Sequence, residues 1–259
     1  MGDCDVIPLL KNKNTDVDKP NKRFVIVGLP RSGTTYLASF LNTHPDIFCS
    51  GEQYNPYAVI GSAGLDDSHE TVLARDKDPV AFMNTFFESK DAAQVSCAGF
   101  KFMIGHNIQV LRHLEQDPDI TIIHVWRENR VAQAASLLKA LRSDKWTQVR
   151  KTKHIDTKVD ASPRKISQHW HEYETYDYLI GQWMNARPNP KITLEYRELF
   201  EPDFQDRMCT FLGVTHSAKM KSRLVKQGVN TILDRFMNPK PIRYYFTQIG
   251  KAHWLDNEL

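Results

Sequence analysis

Arg31 and Arg127 are the side chains around which chemistry in this 259-residue sequence would be built. Arg31 stands inside Val25-Ile26-Val27-Gly28-Leu29-Pro30-Arg31-Ser32-Gly33-Thr34-Thr35-Tyr36-Leu37, where Gly28 and Gly33 have the spacing of a Walker A loop. A loop of this kind, between a buried strand and a helix, offers backbone N–H groups and the positive end of the helix to a phosphate. In a nucleoside-triphosphate enzyme the residue after the second glycine is Lys, and a hydroxyl then holds Mg²⁺. Here that position is Thr34, and the cation has moved into the loop as Arg31.

A second departure points the same way. Triphosphate enzymes need a carboxylate at the end of a neighbouring strand to hold the metal, but the run Thr121-Ile122-Ile123-His124-Val125-Trp126 ends in Arg127. Beyond it, Val131, Ala132 and Ala135 begin a helix with Ser136 in its early turns, about two and a half turns on. A fork-shaped guanidinium at the strand tip and a hydroxyl on the helix suit one phosphate between them. The competing reading makes Arg127 and Arg130 surface charges, yet cations near a helix start are unfavourable without an anion to balance them. The two arginines therefore imply a ligand with negative charge at two separated places, neutralised by side chains rather than by Mg²⁺.

These residues need strands and helices to position them. Phe24 to Gly28 reads as a strand buried on both faces, and Leu37, Phe40 and Leu41 fall at i, i+3, i+4 of the helix that follows the loop. Further strands are expected at Ile47 to Ser50, Val95 to Phe102, Ile120 to Trp126 and Lys191 to Tyr196. Helical patterns lie at 79–90, 105–115, 128–143, 164–186 and 203–213. The alternation implies parallel βαβ units, hence a three-layer α/β, P-loop-like fold with a central parallel sheet flanked by helices and ligands at the carboxyl ends of its strands. Residues 1–22 read as a flexible arm and 23–259 as a single domain. The basic stretch from Arg142 to Lys165 has no clean period and reads either as a solvated connector or as a lid over an anionic ligand.

Composition narrows the class of partner. A net charge of +3 argues against a dedicated nucleic-acid binder and leaves room for a local anion site. Cys4, Cys49, Cys97 and Cys209 have no metal-ligand spacing and read as free thiols in a reducing compartment, and no metal site is expected. With no apolar run long enough to span a membrane and no signal-peptide core, a cytoplasmic location is expected.

Pro30-Arg31-Ser32-Gly33-Thr34-Thr35-Tyr36-Leu37, together with the string from Trp126 to Leu137, resembles the two donor-binding signatures of sulfotransferases that use 3′-phosphoadenosine-5′-phosphosulfate (PAPS). The spelling is most similar to the bacterial branch that includes trehalose and nodulation-factor sulfotransferases. The resemblance implies that Arg31 lies on the 5′-phosphosulfate, with Ser32, Gly33, Thr34 and Thr35 supplying donors, and that Arg127 and Ser136 hold the 3′-phosphate. Tyr36 and Tyr196 match aromatics beside the adenine. Ile249-Gly250-Lys251-Ala252-His253-Trp254 resembles the family's C-terminal phosphate loop, which places Gly250 and Lys251 on the donor, although the second glycine of that loop is missing; a Trp anchoring a tail is the alternative.

Transfer of a sulfuryl group needs a base for the acceptor hydroxyl and positive charge where the leaving phosphate gains negative charge. The resemblance makes Glu52, in Cys49-Ser50-Gly51-Glu52-Gln53-Tyr54, the base, against a plain loop or capping carboxylate. His106 is the second candidate, since other branches use a His after the third strand, and Lys101 then lines the sulfonate. His124 reads as a packed core histidine, and the aromatics from His169 to Tyr176 as core or as a flank of the acceptor pocket. The acceptor is expected to be a small hydroxylated molecule, a carbohydrate or a specialised metabolite, and a homodimer is left open. The rivals are an atypical P-loop kinase using Mg-ATP and a non-catalytic nucleotide-binding module.

Overall fold

The computed structural model describes residues 22–62, 64–143, 146, 158–218, 220–224 and 230–259. Strand β1 (Lys22–Gly28) leads through the glycine loop into α1 (Thr34–Leu41), and β2 (Ile47–Glu52) follows. A hairpin of β3 (Val59–Ile60) and β4 (Leu65–Asp66), then α2 (His69–Lys77), α3 (Pro79–Phe87) and α4 (Lys90–Ala93), lead to β5 (Cys97–Met103). The order continues with α5 (Ile108–Gln116), β6 (Ile120–Trp126), α6 (Arg130–Ser143), α7 (Pro163–Asn185), β7 (Lys191–Glu195), α8 (Phe204–Leu212) and α9 (Pro239–Gln248). Single 3₁₀ turns occupy Tyr196–Phe200, Leu233–Arg235 and Ala252–Leu255.

The long strands pair in parallel in the order β2-β5-β1-β6-β7. Period-2 alternation sends their side chains into two layers. Phe24, Ile26, Ile123 and Val125 meet Leu37, Phe40 and Leu41 of α1 and Phe204 and Met208 of α8 on one face. Val25, Val27, Phe100, Phe102 and Ile122 meet Met83, Val110, Leu114 and Ile180 from α3, α5 and α7 on the other. The result is a central parallel sheet between helical layers, with β1 buried on both faces as its apolar run implies.

The differences from the sequence reading have local causes. Lys22 is the first residue of β1 rather than the end of an arm; residues 1–21, with Cys4, lie outside the described residues. The helical pattern over 79–90 breaks at Glu88–Ser89, because the Ser89 hydroxyl accepts from Ala92 N–H and starts a new turn. Strand β2 runs on through Glu52. Helix α2 went unpredicted because its polar sequence has no apolar stripe; what holds it is the buried Arg75. Helix α9 and the β3–β4 hairpin were likewise missed. Of the expected connector or lid, residues 144, 145 and 147–157 lie outside the described residues. Cys49, Cys97 and Cys209 are buried free thiols. No helix among the described residues is long and apolar enough to cross a membrane.

Candidate anion-binding active site

From β1 the chain builds outward to β5 and β2 on one side and to β6 and β7 on the other, which opens a crevice at the carboxyl end of β1. A cavity of about 1260 Å³ lies there. It exceeds the ~300–1,000 Å³ usual for one small ligand. Among the described residues, seven lysine and arginine side chains and His106 line it against two carboxylates, Glu52 and Asp234.

The loop at its floor is tightly constrained. Gly28 ends β1 so close to β6 that a Cβ there would lie 2.6 Å from the Val125 carbonyl oxygen. Arg31 adopts a left-handed backbone, φ 65, which costs a non-glycine residue about 1–2 kcal/mol. Its carbonyl accepts from Arg127 Nη1 at 2.9 Å, so the second arginine helps hold the turn. Gly33, at φ 109, precedes α1 and takes a conformation open to glycine. Ser32 Oγ is buried without a hydrogen-bond partner, an unmet valence of the sort a ligand or water satisfies.

Arg31 reaches across to α6, where Nε donates to Ser136 Oγ at 2.8 Å and Nη1 donates to the Trp146 carbonyl at 2.5 Å. Burial, with Arg127 alongside, pulls its pKa down to about 10, so it stays charged at neutral pH. Ser136 is thus joined to Arg31 rather than to Arg127.

On the β2–β5 side, Lys101 Nζ donates to Glu52 Oε1 and to Thr35 Oγ1, each at 2.7 Å. Asn55 Nδ2 donates to Glu52 Oε2 at 2.8 Å. A register shift between Ser50 and Glu52 sets the carboxylate opposite Lys101. Burial raises the Glu52 pKa, but the charge and hydrogen bond of Lys101, the Asn55 hydrogen bond and the nearby His106 together hold it below its ordinary value. Burial lowers Lys101, and Glu52 only partly restores it. His106 lines the same wall; burial lowers its pKa against the pull of Glu52, and its Nδ1 is buried without a partner. Behind Glu52, Arg75 Nη1 donates to the Asn55 carbonyl at 2.6 Å and fixes the loop that carries Asn55.

On the β6–β7 side, Arg127 is buried with its guanidinium 4.3 Å from the centre of the Tyr196 ring. Its Nε donates to Glu258 Oε1 at 2.7 Å and its Nη2 donates to the same oxygen. Glu258 Oε2 accepts from Arg235 Nη2 at 2.9 Å. Burial raises the Glu258 carboxyl, but the charges and hydrogen bonds of Arg127 and Arg235 hold it down to about 2. Tyr36 lines the cavity from α1, with its ring 4.8 Å from Phe200.

The structure therefore gathers Arg31, Gly33, Thr34, Thr35, Tyr36, Glu52, Lys101, His106, Arg127, Ser136 and Tyr196 around one cavity. Ser32, which is buried, and Gly250 and Lys251 are not among its lining residues. The chain leaves α9 through a left-handed Gly250, and Lys251 N–H closes back on the Phe246 carbonyl at 2.8 Å. That turn lays the Lys251 ammonium over the rings of Trp254 and Trp170, at 4.6 and 5.5 Å, while Trp254 anchors the segment through its Nε1–H on Glu128 at 2.5 Å. His124 is buried against Asp177 at 3.2 Å. Of the α7 aromatics, Tyr173 packs in the core and Tyr176 is exposed. Sequence reasoning missed Asn55, Arg75, Arg235 and Glu258. Asn55 stands three residues from Glu52 and was findable there; the others follow from contacts distant in the chain.

A model of the sulfotransferase family matches residues 23–218. The chain is 21% identical over 229 residues to nodulation protein H of Rhizobium tropici, covering 86% of this chain and 88% of that one. It is 27% identical over 130 residues to nodulation protein H of Rhizobium meliloti (strain 1021), a match spanning about half of each protein, 49% and 51%. A crystal structure of a sulfotransferase from Alicyclobacillus acidocaldarius superposes with a TM-score of 0.49 and 17% identity over 91% of this chain and 95% of the other. The loop and strand-tip arginines on a parallel sheet, and the family match over most of the chain, lead to one assignment: this protein belongs to the sulfotransferase family.

Proposed function

We propose that this chain transfers the sulfuryl group of PAPS to a hydroxyl of a small acceptor, a carbohydrate or specialised metabolite, in the cytoplasm. The observation that carries the reading is the pair of cationic centres, Arg31 in the β1 loop and Arg127 at the tip of β6, on one cavity wall. A donor with a phosphosulfate at one end of its ribose and a phosphate at the other has charges to match both. Bound PAPS supplies an activated S–O bond.

Glu52 takes the proton from the acceptor hydroxyl as that oxygen forms its bond to sulfur. The bond between sulfur and the bridging oxygen of the donor breaks, and the electron pair leaves with the 5′-phosphate. The products are a sulfate ester and adenosine 3′,5′-bisphosphate. Arg31 places positive charge where the leaving oxygen gains its negative charge, in a site where it needs no reorganisation. Lys101, held between Thr35 and Glu52, lies between the loop and the base and suits the sulfonate oxygens. A cavity larger than one ligand requires leaves room for the acceptor beside Glu52.

Thermal denaturation tests the donor assignment. Adenosine 3′,5′-bisphosphate at 100 times its Kd stabilises a one-site protein by about 2.7 kcal/mol, or about 5–10 °C in a chain of this size. The shift is expected without added metal. A shift with Mg-ATP and none with the bisphosphate would replace this reading by a kinase.

A further inference from the structure

We propose that Glu258 is a positioning residue for the donor's second phosphate, holding Arg127 and Arg235 side by side as one two-guanidinium grip. The inference rests on the donor reading above. Arg127 and Arg235 both line the cavity, whereas Glu258 does not, and its side chain is 1% exposed. Viewed from the cavity, two cations stand in front and one carboxylate stands behind them. Two guanidiniums that share one carboxylate repel each other, so their placement side by side needs a counter-charge bonded to both. Glu258 fixes both, with one oxygen on Arg127 and the other on Arg235.

The carboxylate is itself held from several directions. Asn129 Nδ2 donates to the Trp254 carbonyl at 3.0 Å, and Trp254 and Leu255 are buried beside α6. A bridge joins Asn257 to Thr231, and Leu259 N–H donates to Asn230 Oδ1 at 2.9 Å. Arg235 closes the 3₁₀ turn Leu233–Arg235, whose carbonyl edge joins Val159 N–H at 2.7 Å. With Ser136 bonded to Arg31 and Lys251 lying on aromatic faces, Arg235 is a second cation beside Arg127, joined to it through Glu258. The C-terminal segment therefore reaches the donor through Glu258 and Arg235 rather than through Gly250 and Lys251.

Charge and geometry make opposite demands here, which gives the test its sign. A carboxylate near a phosphate site weakens anion binding by repulsion, so if charge alone mattered Glu258→Gln would tighten it. If Glu258 positions the arginines, the same variant loosens it. Isothermal titration with adenosine 3′,5′-bisphosphate and with adenosine 5′-monophosphate, which lacks the second phosphate, separates the two. Glu258→Gln and Arg235→Ala are each expected to weaken the bisphosphate about tenfold, ~1.4 kcal/mol, while the monophosphate changes by less than about threefold. Arg235→Lys, which keeps the charge without the fork, is expected to fall between wild type and Arg235→Ala.

Equal or tighter bisphosphate binding by Glu258→Gln overturns the proposal and makes the carboxylate a competing anion. Equal losses for both nucleotides in Arg235→Ala also overturn it, since a general structural defect would do that. Should Glu258→Gln not fold, the Arg235→Ala and Arg235→Lys pair decides by the same criterion. Wild-type protein that binds neither nucleotide removes the donor reading and this inference with it; wild-type binding that both variants leave unchanged removes the inference alone.

Discussion

Glu52, the proposed base, combines two properties that pull against each other in that role. Its two oxygens accept from Lys101 and Asn55, which orients the carboxylate and also lowers its affinity for a proton. The lowered pKa predicts that Glu52 is ionised above pH 4.5, the carboxyl's ordinary value, so the acid limb of kcat/KM should fall below it. A limb lying instead above pH 4.5 would follow another group, with the imidazole of His106, lowered by burial from its ordinary value, as the candidate. Glu52→Gln keeps the shape of the side chain but gives up one of its two acceptor oxygens; it should cut turnover about 100-fold or more and leave bisphosphate affinity nearly unchanged. Unaltered turnover would move the base to His106. Glu52, Lys101 and His106 were legible as candidates from their strings, but their mutual distances were not. The register shift that turns Glu52 toward Lys101 is a backbone irregularity with no mark in the side-chain pattern.

At the scale of elements, the β1–loop–α1 unit was readable because its signals are local: an apolar run, two glycines at fixed spacing, and apolar positions at helical period. The tightness of the unit was not readable, since it depends on what arrives from β7. A Cβ on Gly33 would come within 2.8 Å of Leu199 Cδ1 and 2.9 Å of Tyr196 Cδ2, at a backbone angle, φ 109, that L-residues avoid. Gly33→Ala is therefore expected to destabilise the protein by about 1–3 kcal/mol, measured by urea unfolding, and to displace Tyr196 from the Arg127 guanidinium. An unchanged midpoint would mean that the 3₁₀ turn after β7 yields easily. The C-terminal segment that resembles a phosphate loop lies off the cavity lining for the complementary reason. Gly250 and Lys251 match a motif, but the turn out of α9 spends Lys251 on Trp170 and Trp254.

Across the whole molecule, Glu258 ties residues 131 positions apart, and no reading of local periodicity reaches that far. Its carboxyl ordinarily titrates near 4.5 and in the folded protein is held down to about 2. A depressed carboxylate stabilises fully above its unfolded value, so this contribution is present above about pH 4.5 and is lost as pH falls toward 2. Glu258→Gln should lose about 3 kcal/mol at neutral pH, the low end for breaking a buried pair because the cavity lets water reach the freed guanidiniums. The variant's unfolding free energy should also vary less between pH 4.5 and 2 than that of the wild type, and parallel acid profiles would show that the pair does not couple to folding.

The strand order has a metric consequence. Glu52, Arg31, Arg127 and Tyr196 stand at or just beyond the tips of β2, β1, β6 and β7, and Lys101 two residues before the end of β5, one from each strand in spatial sequence. Parallel neighbours are spaced by about 4.8 Å, so the row is a graduated scale roughly 19 Å long. A donor lying along it is measured as well as bound. On the proposed sulfuryl-transfer reading, displacement by one strand spacing would carry the donor's sulfur away from Glu52.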